Sequence, residues 1–372
     1  MAYLGEKIPK LGFGLMRLPM NGEEVDIEQT KEMVDQFMAK GFTYFDTAFG
    51  YTGGKSEEAV KTAIVDRYPR ESFQIATKLP AWTAANAEDA KEMFNISLKR
   101  TGAGYFDFYL LHNVAEERMN SFDDFGIWDY VRELKEKGLI RHIGFSFHDN
   151  AQVLDKVLTA HPEMEFVQLQ INYADWESPT VQARACYEVA KKHNKPIIIM
   201  EPIKGGALAN MPDSVRKIFK AADPNASIAS WAIRYAASLD NLITVLSGMS
   251  TIDQMKDNLS YMESFKPLTE DEKEVVTKAQ EVLSAIPSIP CTSCQYCVDS
   301  CPQNIKIPDF INAMNRKTIF EDYEGAKHGY GMTIMFGSNK PSECIACGVC
   351  ESVCPQKIAI IDTLKTAVEL FE

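Results

Sequence analysis

From residue 11 to residue 262 the chain alternates short, apolar, β-rich runs with amphipathic stretches of helical period. The strand candidates are Leu11–Arg17, Phe42–Asp46, Phe73–Lys78, Phe106–His112, His142–Ser146, Phe166–Asn172, Pro196–Glu201 and Leu242–Ser247. Most are near-continuous apolar runs, the pattern of parallel strands covered on both faces. Between them the helical pattern covers Ile27–Lys40, Ser56–Val65, Ala87–Thr101, Phe122–Lys137, Ala151–Leu158, Thr180–His193, Ala226–Ala237 and Ile252–Tyr261. Gly41, Gly102 and Gly138 follow three of these helices, where a chain leaves a helix most easily through a left-handed residue. This alternation predicts an α/β fold, a (β/α)8 TIM barrel. A doubly wound sheet is the competing architecture, and the lack of a G-x-G-x-x-G turn after the first strand argues against it.

One further helix, Glu270–Ala285, follows the eighth unit, and Pro287 and Pro290 then punctuate the chain. The boundary is placed there, giving a barrel domain over residues 1–287 and a small, mainly helical domain over 288–372. Within the second domain Pro308–Arg316 reads as helix, the glycine-rich Gly325–Gly337 as loop, and Ile358–Phe371 as a helix with one apolar face that packs back on the body.

The second domain holds eight of the chain's nine cysteines, in two copies of one pattern. Cys291, Cys294, Cys297 and Cys301 precede Pro302; Cys344, Cys347, Cys350 and Cys354 precede Pro355. Both read C-x2-C-x2-C-x3-C-P, which resembles the bacterial ferredoxin spacing for [4Fe–4S] clusters. Zinc is the other metal to weigh, but its sites use paired C-x2-C units separated by a spacer. The ferredoxin resemblance implies two clusters with exchanged fourth ligands, so that Cys354 joins Cys291, Cys294 and Cys297, while Cys301 joins Cys344, Cys347 and Cys350. Some 42 residues separate Cys301 from Cys344, long for a compact ferredoxin and indicative of an insertion. The ninth cysteine, Cys186, falls in a helical pattern and reads as a buried structural thiol.

A net charge of −13 makes nucleic acid and anionic membrane poor partners. The acidity serves solubility, or offers a face to a basic redox partner. The opening MAYLGEKIPK has no apolar core of a secretory signal, and no apolar run reaches the ~18 residues of a membrane span. Iron–sulfur thiolates need a reducing compartment, so the expected location is cytoplasmic.

In a TIM barrel the chemistry sits at the C-terminal ends of the strands. There the sequence places Asp46, with Tyr51 shortly after it, then Lys78 and His112 on the next two strands. Together with the segments LGFGLMRL, FDTAFGY, FQIATK, FDFYLLH and GMSTIDQMKDNL, this set resembles the aldo-keto reductase superfamily over about residues 1–265. The resemblance implies a catalytic tetrad of Asp46, Tyr51, Lys78 and His112. Reducing a carbonyl needs a hydride at carbon and a proton at oxygen. A free phenol, with a pKa near ~10, gives up its proton reluctantly at neutral pH, and a neighbouring ammonium stabilises its phenolate. Tyr51 is then the proton donor, Lys78 and Asp46 its tuners, and His112 a donor that orients and polarises the substrate carbonyl.

The same resemblance implies a nicotinamide dinucleotide, NADPH or NADH, across the barrel mouth. Ser146 and Gln168 match the residues that hold its carboxamide; Gln254 and Asn258 lie in the last βα unit, where its adenine half rests. The chain departs from the family pattern at several points. Phe147 follows Ser146 where an asparagine is common, Met200 stands where an aromatic ring often stacks on the nicotinamide, and Gly248 and Gln254 stand where charges often hold a 2′-phosphate. Lys204 and Lys256 are the available compensating cations. Phe49, Trp82 and Trp176 follow strand ends and are candidates to line an apolar substrate pocket. The substrate expected is a small carbonyl or alcohol. A hydride carries two electrons and a [4Fe–4S] cluster passes one at a time. A flavin would convert between them, but the chain shows no flavin fingerprint. Electron exchange with a ferredoxin-like or flavodoxin-like partner, purely structural clusters, and a redox-responsive docking protein with a nucleotide-binding barrel are the three functional readings this leaves.

Overall fold

The computed structural model describes residues 4–178, 181–320, 323–335 and 337–372. Eight strands form a closed barrel in sequence order: β1 (Leu11–Gly14), β2 (Tyr44–Asp46), β3 (Gln74–Leu79), β4 (Phe106–Val114), β5 (Ile140–Phe147), β6 (Phe166–Gln170), β7 (Ile197–Met200) and β8 (Leu242–Ser247). Every neighbouring pair is parallel, including the β1–β8 pair that closes the ring. The apolar runs are therefore buried on both sides, by helices outside and by the filled barrel inside.

Side chains alternate along a strand, so residues two apart share a face. Tyr44, Ala76, Phe108, Leu110, Phe166, Ile198, Ile243 and Leu246 pack together as one buried cluster. One step of two toward the C-terminal end of their strands stand Asp46 after Tyr44, Lys78 after Ala76, His112 after Leu110, Gln168 after Phe166 and Met200 after Ile198. The polar layer at the mouth is thus the continuation of the apolar layer beneath it. Gly144 is paired with both Leu110 and Phe166, and a methyl group there would lie 2.5 Å from the Phe166 carbonyl oxygen and 2.7 Å from its ring. A larger residue would collide with the filling of the barrel.

Outside the ring lie α1 (Ile27–Ala39), α2 (Lys55–Val60), α3 (Ala87–Thr101), α4 (Ile127–Glu136), α5 (Ala151–Ala160), α6 (Ala183–Lys192), α8 (Ile228–Ala237) and α9 (Ile252–Met262); α7 (Asp213–Ala222) and α10 (Glu270–Ser284) belong to a second unit. Asp26, Asn86, Asn150 and Thr251 cap α1, α3, α5 and α9 with side-chain oxygens, as their residue types favour. The differences from expectation are local. The first strand stops at Gly14 and turns through Leu15–Arg17. The expected helix Phe122–Lys137 is broken at Gly126, which has φ +62°, leaving α4 and a short turn of helix before it. Helix α7 has no counterpart in the pattern-based reading. The expected start of α6 at Thr180 lies outside the described residues. Among the described residues no helix is long and apolar enough to cross a membrane.

The chain divides into two compact units. The first contains the barrel strands, with residues up to Ser178, Gln182–Pro202 and Ala229–Thr269; the second contains Ile203–Ile228 and Glu270–Glu372. In the second unit α7 packs against α10, and the turn after β7 reaches the first cysteine loop. Gly205, at φ +64°, passes so close to that loop that a methyl group on it would sit 2.2 Å from the Thr292 carbonyl oxygen. The longer helices of the cysteine region are α11 (Ile307–Phe320), α12 (Tyr323–Met335) and α13 (Ile360–Phe371). The glycine-rich stretch is helix rather than loop. Its glycines cost helix propensity, roughly 1 kcal/mol each, but α12 buries Ala326, Tyr330 and Thr333, with the Tyr330 ring 4.8 Å from Phe310. Tertiary packing overrides the local preference.

Gly144→Ala should lower stability by about 1–3 kcal/mol through overpacking of the barrel interior. Denaturant unfolding followed by tryptophan fluorescence measures this; a wild-type midpoint would show that the interior yields around Phe166.

Candidate active site and cysteine cavities

At the mouth of the barrel, β2 and β3 bring two buried charges together. Lys78 Nζ donates to Asp46 Oδ1 at 2.5 Å and to the Thr47 carbonyl at 2.7 Å. It also reaches the Tyr51 hydroxyl at 3.2 Å. Lys78 is 1% exposed. Burial pulls its pKa down, against the opposing pull of Asp46. For Asp46 burial pushes the pKa up and Lys78 opposes. Each charge is held by the other. Gln168 adds a third contact, donating from Nε2 to Asp46 Oδ2 at 3.1 Å.

Tyr51 stands on a tight turn after β2. Its amide donates to the Ala48 carbonyl at 3.1 Å, and Thr52, Gly53 and Gly54 all have positive φ. From behind, Arg100 donates to the Phe49 carbonyl at 3.0 Å and pairs with the buried Glu57 at 3.3 Å. Glu57 accepts from Thr77 Oγ1 at 2.7 Å. This chain of contacts ties the tyrosine loop to β3, the strand that carries Lys78.

His112 ends the largely apolar run of β4. Its ring lies 5.9 Å from that of Tyr51, edge to face, and 5.4 Å from that of Trp82. Burial holds its pKa well below the ordinary imidazole value, and the charges of Lys78, His148 and Arg118 push the same way. The ring is therefore neutral at pH 7, with one N–H to donate. The next residue, Asn113, adopts φ +52°, and its amide donates to Ser146 Oγ at 2.8 Å.

The structure thus gathers Asp46, Tyr51, Lys78 and His112 at one place, with Ser146 and Gln168 buried beside them. Met200 is half-buried over the apolar barrel filling. Gln254 is exposed and its side chain accepts from the Ser250 amide at 2.7 Å. Asn258 is buried and committed internally, accepting from Ser247 Oγ at 2.8 Å and donating to the Gln254 carbonyl at 2.9 Å. It braces the loop after β8. Gly248 leaves open space, with the nearest atom to a methyl group there, the Gly14 carbonyl oxygen, 3.8 Å away. Lys256 is exposed on α9. Of the pocket candidates, Trp82 touches His112, Phe49 lies under Arg100 at 4.6 Å, and Trp176 packs against Tyr187 and Tyr235. Arg118, which the sequence reading passed over, is buried with its guanidinium 4.7 Å over the Trp82 ring.

In the second unit the cysteines line two cavities. One is bounded by Cys301, Cys344, Cys347 and Cys350, with Ile305, Ile307, Ile361 and Leu364. The other is bounded by Cys291, Cys294, Cys297 and Cys354, with Ile311, Ile358 and Ile360. Each cavity takes three cysteines from one motif and the last cysteine of the other.

The two backbones repeat one another. Ser293 and Ala346, Gln295 and Gly348, and Asn304 and Lys357 are all left-handed, at matching places in the two motifs. Ser293 donates its amide to Cys291 Sγ at 3.4 Å, as Ala346 does to Cys344 Sγ at 3.4 Å. Left-handed turns of this kind aim amides at an anion. Among the described residues no three His, Cys, Asp or Glu side chains gather tightly enough for a single ion. Four sulfurs around an apolar cavity, with amides directed at thiolates, fit a polynuclear iron–sulfur group.

Comparison with known proteins agrees with both halves. Residues 10–281 match the sequence model of the aldo/keto reductase family, and residues 290–359 that of the 4Fe-4S dicluster domain. An aldo-keto reductase of Mycolicibacterium vanbaalenii is 30% identical over 254 residues, 68% of this chain and 82% of that protein. An uncharacterized oxidoreductase of Bacillus subtilis, YqkF, is 23% identical over 297 residues, 71% of this chain and 90% of that one. Among solved structures, the holo form of an aldo-keto reductase from Bacillus halodurans superposes with a TM-score of 0.60 at 23% identity, over 75% of this chain and 95% of that one. An aldo-keto reductase from Klebsiella pneumoniae in complex with NADPH does so with a TM-score of 0.59 at 19% identity, over 75% and 95%. At such identities the structural matches speak for the fold. With the family matched across the barrel and its four polar strand-end residues together in one layer, the chain belongs to the aldo/keto reductase family of NAD(P)-dependent oxidoreductases, with a 4Fe-4S dicluster domain at its C-terminal end.

Proposed function

We propose that the chain interconverts a small carbonyl compound and its alcohol with NAD(P)H, and that the C-terminal unit holds two [4Fe–4S] clusters that exchange single electrons with an outside partner. The observation that carries the first part is the contact of Lys78 Nζ with both Asp46 and the Tyr51 hydroxyl. The nicotinamide dinucleotide, when bound, supplies a hydride to the carbonyl carbon. The residues at the mouth suit its nicotinamide end: Ser146 offers a buried hydroxyl, and Gln168, whose Nε2 faces Asp46, turns its amide oxygen away from that carboxylate. Tyr51 gives its proton to the carbonyl oxygen as the hydride arrives, so carbonyl, hydride and proton make one alcohol. Lys78 stabilises the phenolate left behind, and Asp46 keeps Lys78 charged despite its burial. Neutral His112 donates to the same oxygen and fixes the angle of approach.

Cys291, Cys294, Cys297 and Cys354 would hold one cluster, and Cys344, Cys347, Cys350 and Cys301 the other. When bound, each cluster supplies one-electron transfer, so the pair matches the two electrons of a hydride. Exposure of Cys347, beside Ile345 at 60% and Val349 at 40%, favours exchange with a partner over a purely structural role.

Tyr51→Phe should lower kcat for carbonyl reduction by about 10²–10⁴-fold, with NAD(P)H affinity retained; undiminished turnover would remove Tyr51 as proton donor. A second outcome concerns pH. The unfolded imidazole titrates near ~6.5, the folded His112 well below it. Under pH ~6.5 the unfolded chain therefore binds more protons than the folded one. Stability is full above that pH and falls on acidification by up to about 1.4 kcal/mol per unit until the folded pKa is passed. Thermal unfolding at pH 7.5 and 5.5 should show this loss, and His112→Leu should flatten it; an equal slope in the variant would place the proton uptake elsewhere.

For the cysteine unit, anaerobic protein should carry about eight irons. Cys301→Ser and Cys344→Ser should alter the same electron paramagnetic resonance signal, and Cys354→Ser and Cys291→Ser the other; grouping by motif instead would overturn the exchanged ligand sets. Reduced nicotinamide should also bleach the cluster absorbance. Unbleached clusters beside normal carbonyl turnover would remove the electron-exchange half of the proposal.

A further inference from the structure

The two cysteine motifs share one backbone, and what surrounds each copy differs. By position Ile345 corresponds to Thr292, Cys347 to Cys294, Gly348 to Gln295 and Val349 to Tyr296. In the first motif Thr292 is 2% exposed. Gly205 passes so near it that a methyl group there would lie 2.2 Å from the Thr292 carbonyl oxygen. Ser293 Oγ accepts from Asn312 Nδ2, on α11, at 3.0 Å, and Cys294 is half-buried. The first loop is thus covered by two other segments of its own unit. In the second motif Ile345 is 60% exposed and Val349 40%. Of the eight motif cysteines, Cys347 between them is the exposed one.

Single apolar residues on a surface need no explanation. Two of them flanking an exposed sulfur form a small patch centred on a redox ligand. Cysteine spacing does not demand them, since the first motif has a threonine where the second has Ile345. The charges around the patch nearly cancel and are bonded locally. Glu343 accepts from the Lys340 amide at 3.0 Å, Glu351 from the Ile361 amide at 2.9 Å, and Asp362 from Lys365 Nζ at 2.8 Å. Recognition there rests on apolar contact rather than on a strong field. Size narrows the occupant further. A stable protein interface buries roughly 1,200–2,000 Å², whereas electron-transfer encounters sit below that range. The few exposed residues from Ser342 to Val349 fall short of a permanent subunit contact and suit a brief encounter.

Electron transfer weakens steeply with distance, so an exposed ligand marks the way in. We propose that the site of Cys301, Cys344, Cys347 and Cys350 is the port of this unit, where a small one-electron carrier protein with an apolar rim docks on Ile345 and Val349, and that the site of Cys291, Cys294, Cys297 and Cys354 is the inner one. This rests on the two-cluster reading above and adds which cluster meets the partner and by what surface. Each encounter moves one electron and makes or breaks no bond. The carrier is oxidised by one electron as the outer cluster is reduced by one, or the reverse.

The test uses the full chain with its clusters loaded, without air and without NAD(P)H, so it is independent of any circuit between nicotinamide and clusters. A soluble dysprosium chelate should shorten the spin relaxation of the electron paramagnetic resonance signal that Cys301→Ser and Cys344→Ser alter, and do so more than for the other signal. Flavodoxin hydroquinone serves as the carrier probe. Its second-order rate of cluster reduction should fall about tenfold when Ile345→Ser and Val349→Ser are combined, with dithionite reduction as the measure of intact clusters. Gln295→Gly, which matches the first loop to Gly348 of the second, should keep the wild-type flavodoxin rate. A larger dysprosium effect on the other signal, an unchanged rate in the double variant, or an equal loss in Gln295→Gly overturns the port. A rate that falls steeply with salt gives recognition to charge and overturns the apolar partner. A wild-type dimer that the double variant dissociates makes the patch a contact between copies and overturns it too. An iron content well below about eight removes the two-cluster reading, and the port with it.

Discussion

Everything at the barrel mouth depends on one buried ion pair. An ammonium and a carboxylate at 1% and 3% exposure survive out of water only because each compensates the other, and because further hydrogen bonds occupy what the pair leaves over. Thr47 and Tyr51 take the remaining donors of Lys78, and Gln168 the second oxygen of Asp46. Three strands, β2, β3 and β6, are thereby joined through charge as well as through the barrel ladder. Removing either partner would leave an uncompensated charge in a low-dielectric site. The pair and its three helpers form one unit, and the position of the phenol is set by it.

That constraint explains why the turn after β2 can be strained. Gly53 and Gly54 take positive φ freely, but Thr52 at φ +50° does not, and a chain holds such a residue only where its surroundings determine it. Here the surroundings are named. Arg100 grips the Phe49 carbonyl on one side, and Glu57 links that guanidinium through Thr77 to β3. A methyl group on Gly54 would lie 2.6 Å from the Arg100 guanidinium, so the close approach needs a residue without a side chain. The strain buys a tyrosine hydroxyl at a set distance from an ammonium.

Much of this was legible in the sequence, for a physical reason. Parallel strands covered on both sides must be apolar runs, and a polar residue at the end of such a run is conspicuous; Asp46, Lys78 and His112 each end one. The cysteine spacing was legible because ligand geometry fixes it locally. What stayed hidden depends on contacts far apart in sequence. Arg118 is a common residue in an acidic segment, EERMN, and only the folded chain lays it on Trp82. The bonds of Asn258 to Ser247 and Gln254 follow from how α9 returns to β8, which no local pattern announces. Helix α12 was hidden by its glycines, which the packing of Tyr330 on Phe310 overrides.

The two halves of the chain reach their working geometry in different ways. The barrel mouth is assembled by its own hydrogen bonds, so its arrangement needs no bound group. The cysteine loops hold five non-glycine residues in the left-handed region, Ser293, Gln295, Asn304, Ala346 and Lys357. Such backbones cost roughly 1–2 kcal/mol each, and the amides of two of these residues, Ser293 and Ala346, donate to Cys291 Sγ and Cys344 Sγ. Amides aimed at sulfur favour thiolates, and four thiolates around one apolar cavity repel one another unless cations lie between them. The second unit also has an apolar core of its own, in which Ile305, Ile307, Phe310, Ile311, Ile360 and Leu364 are buried. A group bound by the cysteines would add to that packing, as zinc does in a zinc finger, whereas the barrel mouth is held by its own hydrogen bonds.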